Sequence, residues 1–327
     1  MKECDLYKKE KNNVKCLACS HNCLIKENNV GICGVRKNIK GKLYLLVYGK
    51  VVSANIDPIE KKPLYHFLPN TKIFSIGTIG CNFKCGFCQN YQTSQLKEIV
   101  GQEITSQKIV DLAIKSKCKS IAYTYNEPTI FIEFVRDIAV LAKKQGLKNV
   151  LVTNGYQTKE CLDYITPYID AMNIDLKSFN NAFYLKNCKA KLKPVLDTIK
   201  LAKKRKIWTE VTTLIVPGEN DSEKELTSIA KFIAKIDKNI PWHISRFFPM
   251  YNMLNKSPTT IEILKKAEQI GKKYLNYVYI GNISEESSTF CPMCKSKIVE
   301  RVLYNTNNKL VKDKCPYCNN KIPGVFE

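Results

Sequence analysis

The chain has 327 residues, 44% hydrophobic and 25% charged, which excludes a disordered polypeptide and allows one large core with small appendages. Lys and Arg number 52 against 30 acids, a formal charge of +22, but only Arg36, Arg136, Arg205, Arg246 and Arg301 are arginines and the lysines are spread along the chain. The charge therefore reads as a compositional bias ahead of a nucleic-acid patch. No run reaches the roughly 18 apolar residues of a membrane span, and the opening MKECDLYKKEKNN is charged where a secretory signal needs an apolar stretch, so a cytoplasmic location with no membrane partner is expected.

Fifteen cysteines, an odd number mostly grouped as C-x2-C or C-x3-C, read as metal ligands in a reducing compartment rather than as disulfides. Residues 1–70 are expected to form a Cys-rich cap, holding CLACSHNC and Cys33, followed by a hairpin over residues 42–57 around Gly49-Lys50. Over residues 71–283 short apolar runs alternate with helical patterns. The runs are KIFSIGTIG, SIAYTY, NVLVTN, DAMNIDLK, IWTEVTTLIV, PWHISRFF and YVYIGN. Between them, Ile130, Phe134, Ile138 and Leu141 share one helical face that ends at Gly146, and Asp221-Ser222 caps another helix. Repeated strand and helix argue a parallel sheet covered by helices, a full or partial (β/α) barrel. A doubly wound sheet is the alternative, weakened because no GxGxxG follows the first strand. After a boundary at ISEESS, residues 288–327 carry CPMC and CPYC around two β-rich segments, a zinc-ribbon or rubredoxin-like module.

In a barrel the functional groups sit where strands end. The first run ends in Cys81, Cys85 and Cys88, the second in Asn126-Glu127-Pro128, the third in Thr153-Asn154-Gly155, the fourth in Asp175 and Lys177, and the sixth carries His243 and Arg246. Each alone reads as a turn, a surface pair or a core residue; together, polar groups at successive strand ends aimed at one cysteine loop read as a site. Three thiolates at C-x3-C-x2-C can hold three irons of a cubane and leave the fourth open, and an open metal position is what a catalytic site needs.

CNFKCGFC matches the C-x3-C-x-aromatic-C motif of the radical SAM superfamily. With YTYNEPT, LVTNGY, MNIDLKSF, TTLIVPGENDS, PWHISRFFPMY and CPYCNNKIPGVFE, nearly the whole chain resembles the AmmeMemoRadiSam system radical SAM enzyme, a group similar to the pyruvate formate-lyase activating enzymes. One departure is that the glycine-glycine-glutamate element of the activating enzymes is Tyr125-Asn126-Glu127 here. The resemblance implies a partial (β/α)6 TIM-like barrel in which Cys81, Cys85 and Cys88 hold a [4Fe-4S] cluster whose unique iron is chelated by S-adenosylmethionine. Asn126 and Glu127 would take its ammonium, Lys177 its carboxylate, and Asp175 with Thr153-Asn154 its ribose or sulfonium side. One-electron reduction would then yield methionine and a 5′-deoxyadenosyl radical that abstracts a hydrogen from a substrate.

The implied substrate is a protein or peptide, as for an activase, and the implied electron donor is of ferredoxin or flavodoxin type. His243 and Arg246 are candidate substrate contacts at the open side, with core packing the alternative for His243. Cys291, Cys294, Cys315 and Cys318 form a closed four-thiolate set suited to a structural zinc ahead of iron. Cys16, Cys19, Cys23 and Cys33 are a candidate second metal site, with a relay iron-sulfur cluster as one reading; Cys4, Cys118, Cys161 and Cys188 read as ordinary thiols. Two rival functions are an RNA-modifying radical SAM enzyme, suggested by the charge and the terminal ribbon, and a non-enzymatic electron-transfer protein, against which the missing fourth ligand argues.

Overall fold

The apolar runs become strands because each is short, buried on both faces and followed by an amphipathic helix that carries the chain back to the same end of the sheet. In the computed structural model, which describes residues 1–96 and 98–327, the strands are β1 (Ser53–Pro58), β2 (Lys72–Gly77), β3 (Ser120–Tyr123), β4 (Lys148–Thr153), β5 (Ala171–Asp175), β6 (Trp208–Ile215), β7 (Trp242–Arg246) and β8 (Val278–Gly281). They form one eight-stranded sheet in chain order, β2 to β8 parallel and β1 antiparallel on the β2 edge. Every neighbour in the sheet is the next strand in the chain, so the winding never reverses and the doubly wound alternative is excluded.

With right-handed crossovers advancing in one direction, the helices α1 (Ser106–Lys115), α2 (Ile132–Lys144), α3 (Lys159–Ile165), α4 (Leu192–Lys204), α5 (Glu223–Ile236) and α6 (Ile261–Lys272) gather on one face. There Phe74, Ile76, Ile121, Leu151, Met172 and Ile174 join Phe134 and Ile138 of α2 in the main core. Alternation along the strands sends Ile73, Ala122, Val150 and Ala171 to the other face, where they pack on Ile59, Leu64, Phe67 and Leu68 rather than on a helix. The expected helix ends hold: Gly146 takes φ +75° beyond α2, and the Ser222 hydroxyl accepts from Glu225 N–H at 3.3 Å at the start of α5.

The hairpin expected around Gly49-Lys50 does not form. Lys42–Leu45 pairs instead with Arg36–Ile39, Lys50–Val51 with Gln102–Glu103, and Ser53–Pro58 with β2. The tight turn is Lys40-Gly41, both at positive φ, a conformation that matches the twist of a two-residue hairpin. With a second small sheet (Tyr7–Glu10, Asn13–Cys16, Leu24–Ile25) these strands make up the N-terminal region.

At the other end Thr289–Phe290, Lys297–Val302 and Asn305–Asn308 form an antiparallel three-stranded sheet. It is fastened by buried Arg301, which donates to Tyr65 O and to Thr289 Oγ1, each at 2.7 Å, and lies 4.4 Å from the Tyr65 ring centre. Beyond it, Leu68 N–H donates to Val325 O at 2.6 Å and Val325 N–H to His66 O at 2.8 Å, so the chain end pairs with the segment under the sheet. Among the described residues no helix is long and apolar enough to cross a membrane.

Candidate active site

The loop after β2 carries Cys81, Cys85 and Cys88 and is held along its length. Gly80 sits at φ +84°, and a Cβ there would stand 2.6 Å from Cys33 O and 2.8 Å from Val35 Cγ1, so only glycine lets the cap approach so closely. Asn126 stitches the start of the loop: its amide donates to Thr78 Oγ1 at 3.0 Å and Gly80 O at 2.9 Å, and its Oδ1 accepts from Thr78 N–H at 3.3 Å. The far half is pinned to the wide helical turn Tyr184–Cys188, where Lys84 N–H donates to Cys188 O and Gly86 N–H to Asn187 O, both at 3.0 Å.

Phe83 N–H donates to Cys81 Sγ at 3.4 Å, and Cys88 Sγ lies 3.2 Å from Ser94 Oγ. Burial pushes the Cys81 and Cys88 thiols above their ordinary range, and the neighbouring Cys188 thiol together with burial does the same to Cys85. Three thiols that resist ionisation here become thiolates when a metal centre supplies the compensating charge. Beside them the buried Asn82 amide nitrogen has no partner, while Asn82 Oδ1 accepts from Asn154 Nδ2 at 2.7 Å.

The strand ends converge on this loop. Asp175 closes β5, and although Lys177 lies beyond the strand, its Nζ donates to Asp175 Oδ2 at 2.8 Å. Burial opposes the Lys177 charge, yet the Asp175 carboxylate and the Cys85 and Cys188 thiols raise its pKa well above the ordinary value. The ammonium also stands 5.7 Å from the Phe87 ring centre, inside the cysteine loop.

Glu127 is saturated instead. Oε1 accepts from Thr129 N–H at 3.0 Å, Thr129 Oγ1 at 2.5 Å and Thr153 Oγ1 at 2.7 Å, and Oε2 accepts from Asn154 N–H at 2.7 Å. Burial pushes its pKa up against those hydrogen bonds.

Cys81, Cys85, Cys88, Asn126, Glu127, Thr153, Asn154, Asp175 and Lys177 are thus brought together. His243 is not at the open side where it was expected: it is the second residue of β7, 4% exposed, with Nε2 2.6 Å from Glu210 Oε2. Strand alternation puts it on the face of the sheet without helices, in register with Thr212 and against the Tyr65 and Tyr279 rings. Arg246, at the strand end, bonds Thr259 O at 2.8 Å and lines a cavity of about 280 Å³ with Phe248, Ile283 and Tyr304. Cys188 and Asn82 were missed. Asn82 lies inside the quoted motif and could have been noticed there; Cys188 has no sequence signal.

Comparison with known proteins agrees with this geometry. The family described as Radical SAM superfamily matches residues 75–230. A protein of Methanocaldococcus jannaschii provisionally named a glycyl-radical enzyme activating enzyme is 32% identical over 207 residues, 62% of this chain and 77% of its own. The chain belongs to the radical SAM superfamily. An uncharacterised protein of the same organism is 46% identical over the full length of both chains. The radical SAM fold is matched by Streptococcus suis SuiB bound to S-adenosylmethionine, with TM-score 0.53 over 68% of this chain and 53% of that one, at 12% identity.

Radical SAM membership implies a [4Fe-4S] cluster and S-adenosylmethionine, and the radical SAM loop here fits them: three neighbouring thiols, Cys85 buried and Cys81 and Cys88 partly so, an unpartnered amide and a glycine-tight backbone. Cys291, Cys294, Cys315 and Cys318 make a separate metal-competent group, their ligand atoms all within 4.8 Å of one another.

Proposed function

We propose that the chain cleaves S-adenosylmethionine reductively at a cluster held by Cys81, Cys85 and Cys88 and abstracts a hydrogen from a protein or peptide, as an activating enzyme does. The observation that carries the reading is the Lys177 ammonium, largely enclosed beside the cysteine loop, bonded to Asp175 at 2.8 Å and raised in pKa chiefly by that carboxylate. When bound, the cluster and S-adenosylmethionine supply one-electron cleavage of the sulfonium and a radical able to take hydrogen from carbon.

The chain's own residues orient and exclude. Lys177 would take the carboxylate of S-adenosylmethionine with the donor protons that Asp175 leaves free, and Asp175, half-open to solvent, would face the ribose side. Asn126 and Glu127 spend their hydrogen bonds on the loop and on the Thr153–Asn154 turn, so they act by positioning rather than by taking the ammonium. Arg246 would line the entry for substrate, in the cavity of about 280 Å³ at the strand ends. The activating-enzyme names among the relatives support a protein substrate; the one-electron step would also need a reductant, for which a ferredoxin- or flavodoxin-type protein is the reading. At the C-terminal quartet the sulfur separations of 3.6 and 3.7 Å suit a single tetrahedral ion, since Zn–S bonds of about 2.3 Å set ligand sulfurs about 3.8 Å apart; zinc in a ribbon is the reading.

Anaerobic reconstitution with iron and sulfide, then reduction with S-adenosylmethionine present, is expected to release 5′-deoxyadenosine, and Cys85→Ala to abolish the release. Intact S-adenosylmethionine in the wild-type assay would overturn the proposal.

A further inference from the structure

The N-terminal cysteines come together in space. Cys16 ends the strand Asn13–Cys16, Cys19 and Cys23 lie in the connection to Leu24–Ile25, and Cys33 precedes Arg36–Ile39. All four line one small cavity of about 10 Å³, room for about one water, walled on its apolar side by Ile25 and Ile130. Their mutual closeness also appears in Cys19, whose thiol burial and the three neighbouring cysteines together raise well above its ordinary pKa.

Two features set this group apart from the C-terminal quartet. There the sulfurs close to 3.6 and 3.7 Å, the edge of a single tetrahedral ion. Among the described residues that quartet is the one group whose ligand atoms all fall within 4.8 Å; the N-terminal four line one pocket without coming that close. Thiols set wider apart than a single ion would hold them suit a cubane, whose four irons hold four thiolates farther apart than one ion does and whose loading would have to widen the small cavity.

The second feature is charge. Arg36 is 1% exposed and lines the cavity, while its partner Glu133, bound at 3.0 and 2.5 Å, stands behind it. A cubane with four thiolates is a buried anion, and a fixed guanidinium on its wall offsets part of the cost of burying it.

The cavity also adjoins the cysteine loop. Cys33 O is the atom against which a Cβ on Gly80 would collide, at 2.6 Å, and His21, between Cys19 and Cys23, has Nε2 2.8 Å from Asn82 O. Gly80 and Asn82 flank Cys81 on either side.

We infer that Cys16, Cys19, Cys23 and Cys33 hold a second [4Fe-4S] cluster, placed to pass single electrons from a low-potential ferredoxin- or flavodoxin-type protein to the group at Cys81, Cys85 and Cys88. Each transfer oxidises the N-terminal cluster by one electron and reduces the other by one, and the protein donor restores the first. The relay rests on the proposed function; the site itself does not.

The test uses the full-length chain reconstituted anaerobically with iron and sulfide, counting acid-labile sulfide, which a single-ion site cannot contribute. Wild type is expected to hold roughly eight sulfides, and the Cys81→Ala/Cys85→Ala/Cys88→Ala variant about four, with a cubane Mössbauer signature. The Cys19→Ala/Cys23→Ala/Cys33→Ala variant should also hold about four, and only its cluster should change its EPR spectrum on adding S-adenosylmethionine. A folded loop variant without sulfide, or with zinc in the cap, overturns the inference. That result stands even if the cap variant fails to fold. Loss of sulfide from a folded cap variant counts instead against the proposed function. In reduced wild type the two EPR signals should broaden each other, and a simple sum of the single-cluster spectra overturns the relay.

Discussion

A buried carboxylate that already accepts four hydrogen bonds has little left for a ligand, which makes Glu127 a test of how the site is built. Its partners are Thr129 by backbone and hydroxyl, the Thr153 hydroxyl and the Asn154 N–H, so it ties the second strand end to the third. Glu127→Ala would leave several of these buried donors unpaired, at about 1–3 kcal/mol each, and is expected to lower unfolding stability by at least about 2 kcal/mol and to cut 5′-deoxyadenosine release with it. Glu127→Gln keeps one acceptor but turns an amide NH2 toward the Asn154 side, and should lie between Ala and wild type. Urea midpoints of the metal-free chain, read beside cleavage yields of the reconstituted one, check this; an Ala variant with wild-type values in both would show the contacts to be idle. Asn126 and Glu127 were legible as members of the site because an Asn-Glu-Pro sequence ends a strand. Their task was not legible, since, Thr129 apart, the partners named here lie 46 to 48 residues away for Asn126 and 26 to 27 for Glu127.

Elements were legible where the sequence states both pattern and partner. All seven runs became strands of one sheet because each is apolar, short and separated from the next by a helix, which leaves parallel pairing with the next run as the simplest closure. The hairpin at Gly49-Lys50 failed because alternation marks a strand without saying what it pairs with, and a better turn stood at Lys40-Gly41. Cys188 reached Cys85 through a helical turn fastened by backbone bonds, which no side-chain pattern encodes. His243 could not be set aside by alternation, since it is in register with Thr212 and, through it, with Asp175; its bond to buried Glu210 is what takes it out of the site. At the C-terminal end the legible element was a ligand set, and its stability should depend on the metal. Hydrogen bonds from Ser296 bring the Cys294 thiol down to about 6, which favours the thiolate form that binds metal. A module of roughly 40 residues has too little core to fold unaided. Cys315→Ser is therefore expected to lose the metal by elemental analysis and to make residues 289–327 the first site of limited proteolysis, while far-UV circular dichroism keeps the helical signal of the main sheet. Unchanged proteolysis after metal loss would show that Arg301 and the paired chain end hold the module by themselves.

Across the whole molecule, the face of the sheet without helices is closed by a polar network in which His66 is the junction. Its Nδ1 lies 2.8 Å from Pro323 O, so Nδ1 carries the proton, and Nε2 accepts from Tyr279 OH at 2.6 Å; one imidazole thus joins the segment under the sheet, the last strand and the chain end. Glu210 binds the same segment through Tyr65 N–H at 3.0 Å and His66 N–H at 2.8 Å. Burial lowers the His66 pKa from 6.5 to about 4. The unfolded chain therefore takes up a proton near pH 6.5 that the folded chain refuses until about pH 4, so stability is full above that window and is lost as pH falls through it. Between pH 7 and pH 5 the loss from this group is about 2 kcal/mol. Glu210 acts in the same direction lower down: burial opposes its charge, but the hydrogen bond from His243 holds its carboxyl below the ordinary value, so its contribution is lost only as pH falls below about 4.5. His21, also lowered by burial, adds to the slope in any His66 variant. The expected result is that denaturant unfolding of wild type loses stability between pH 7 and pH 5 and that His66→Gln, whatever its absolute stability, loses about 2 kcal/mol less over the same interval. An equal loss in both proteins would mean that the proton is taken up elsewhere and that the closure of the sheet is indifferent to acid.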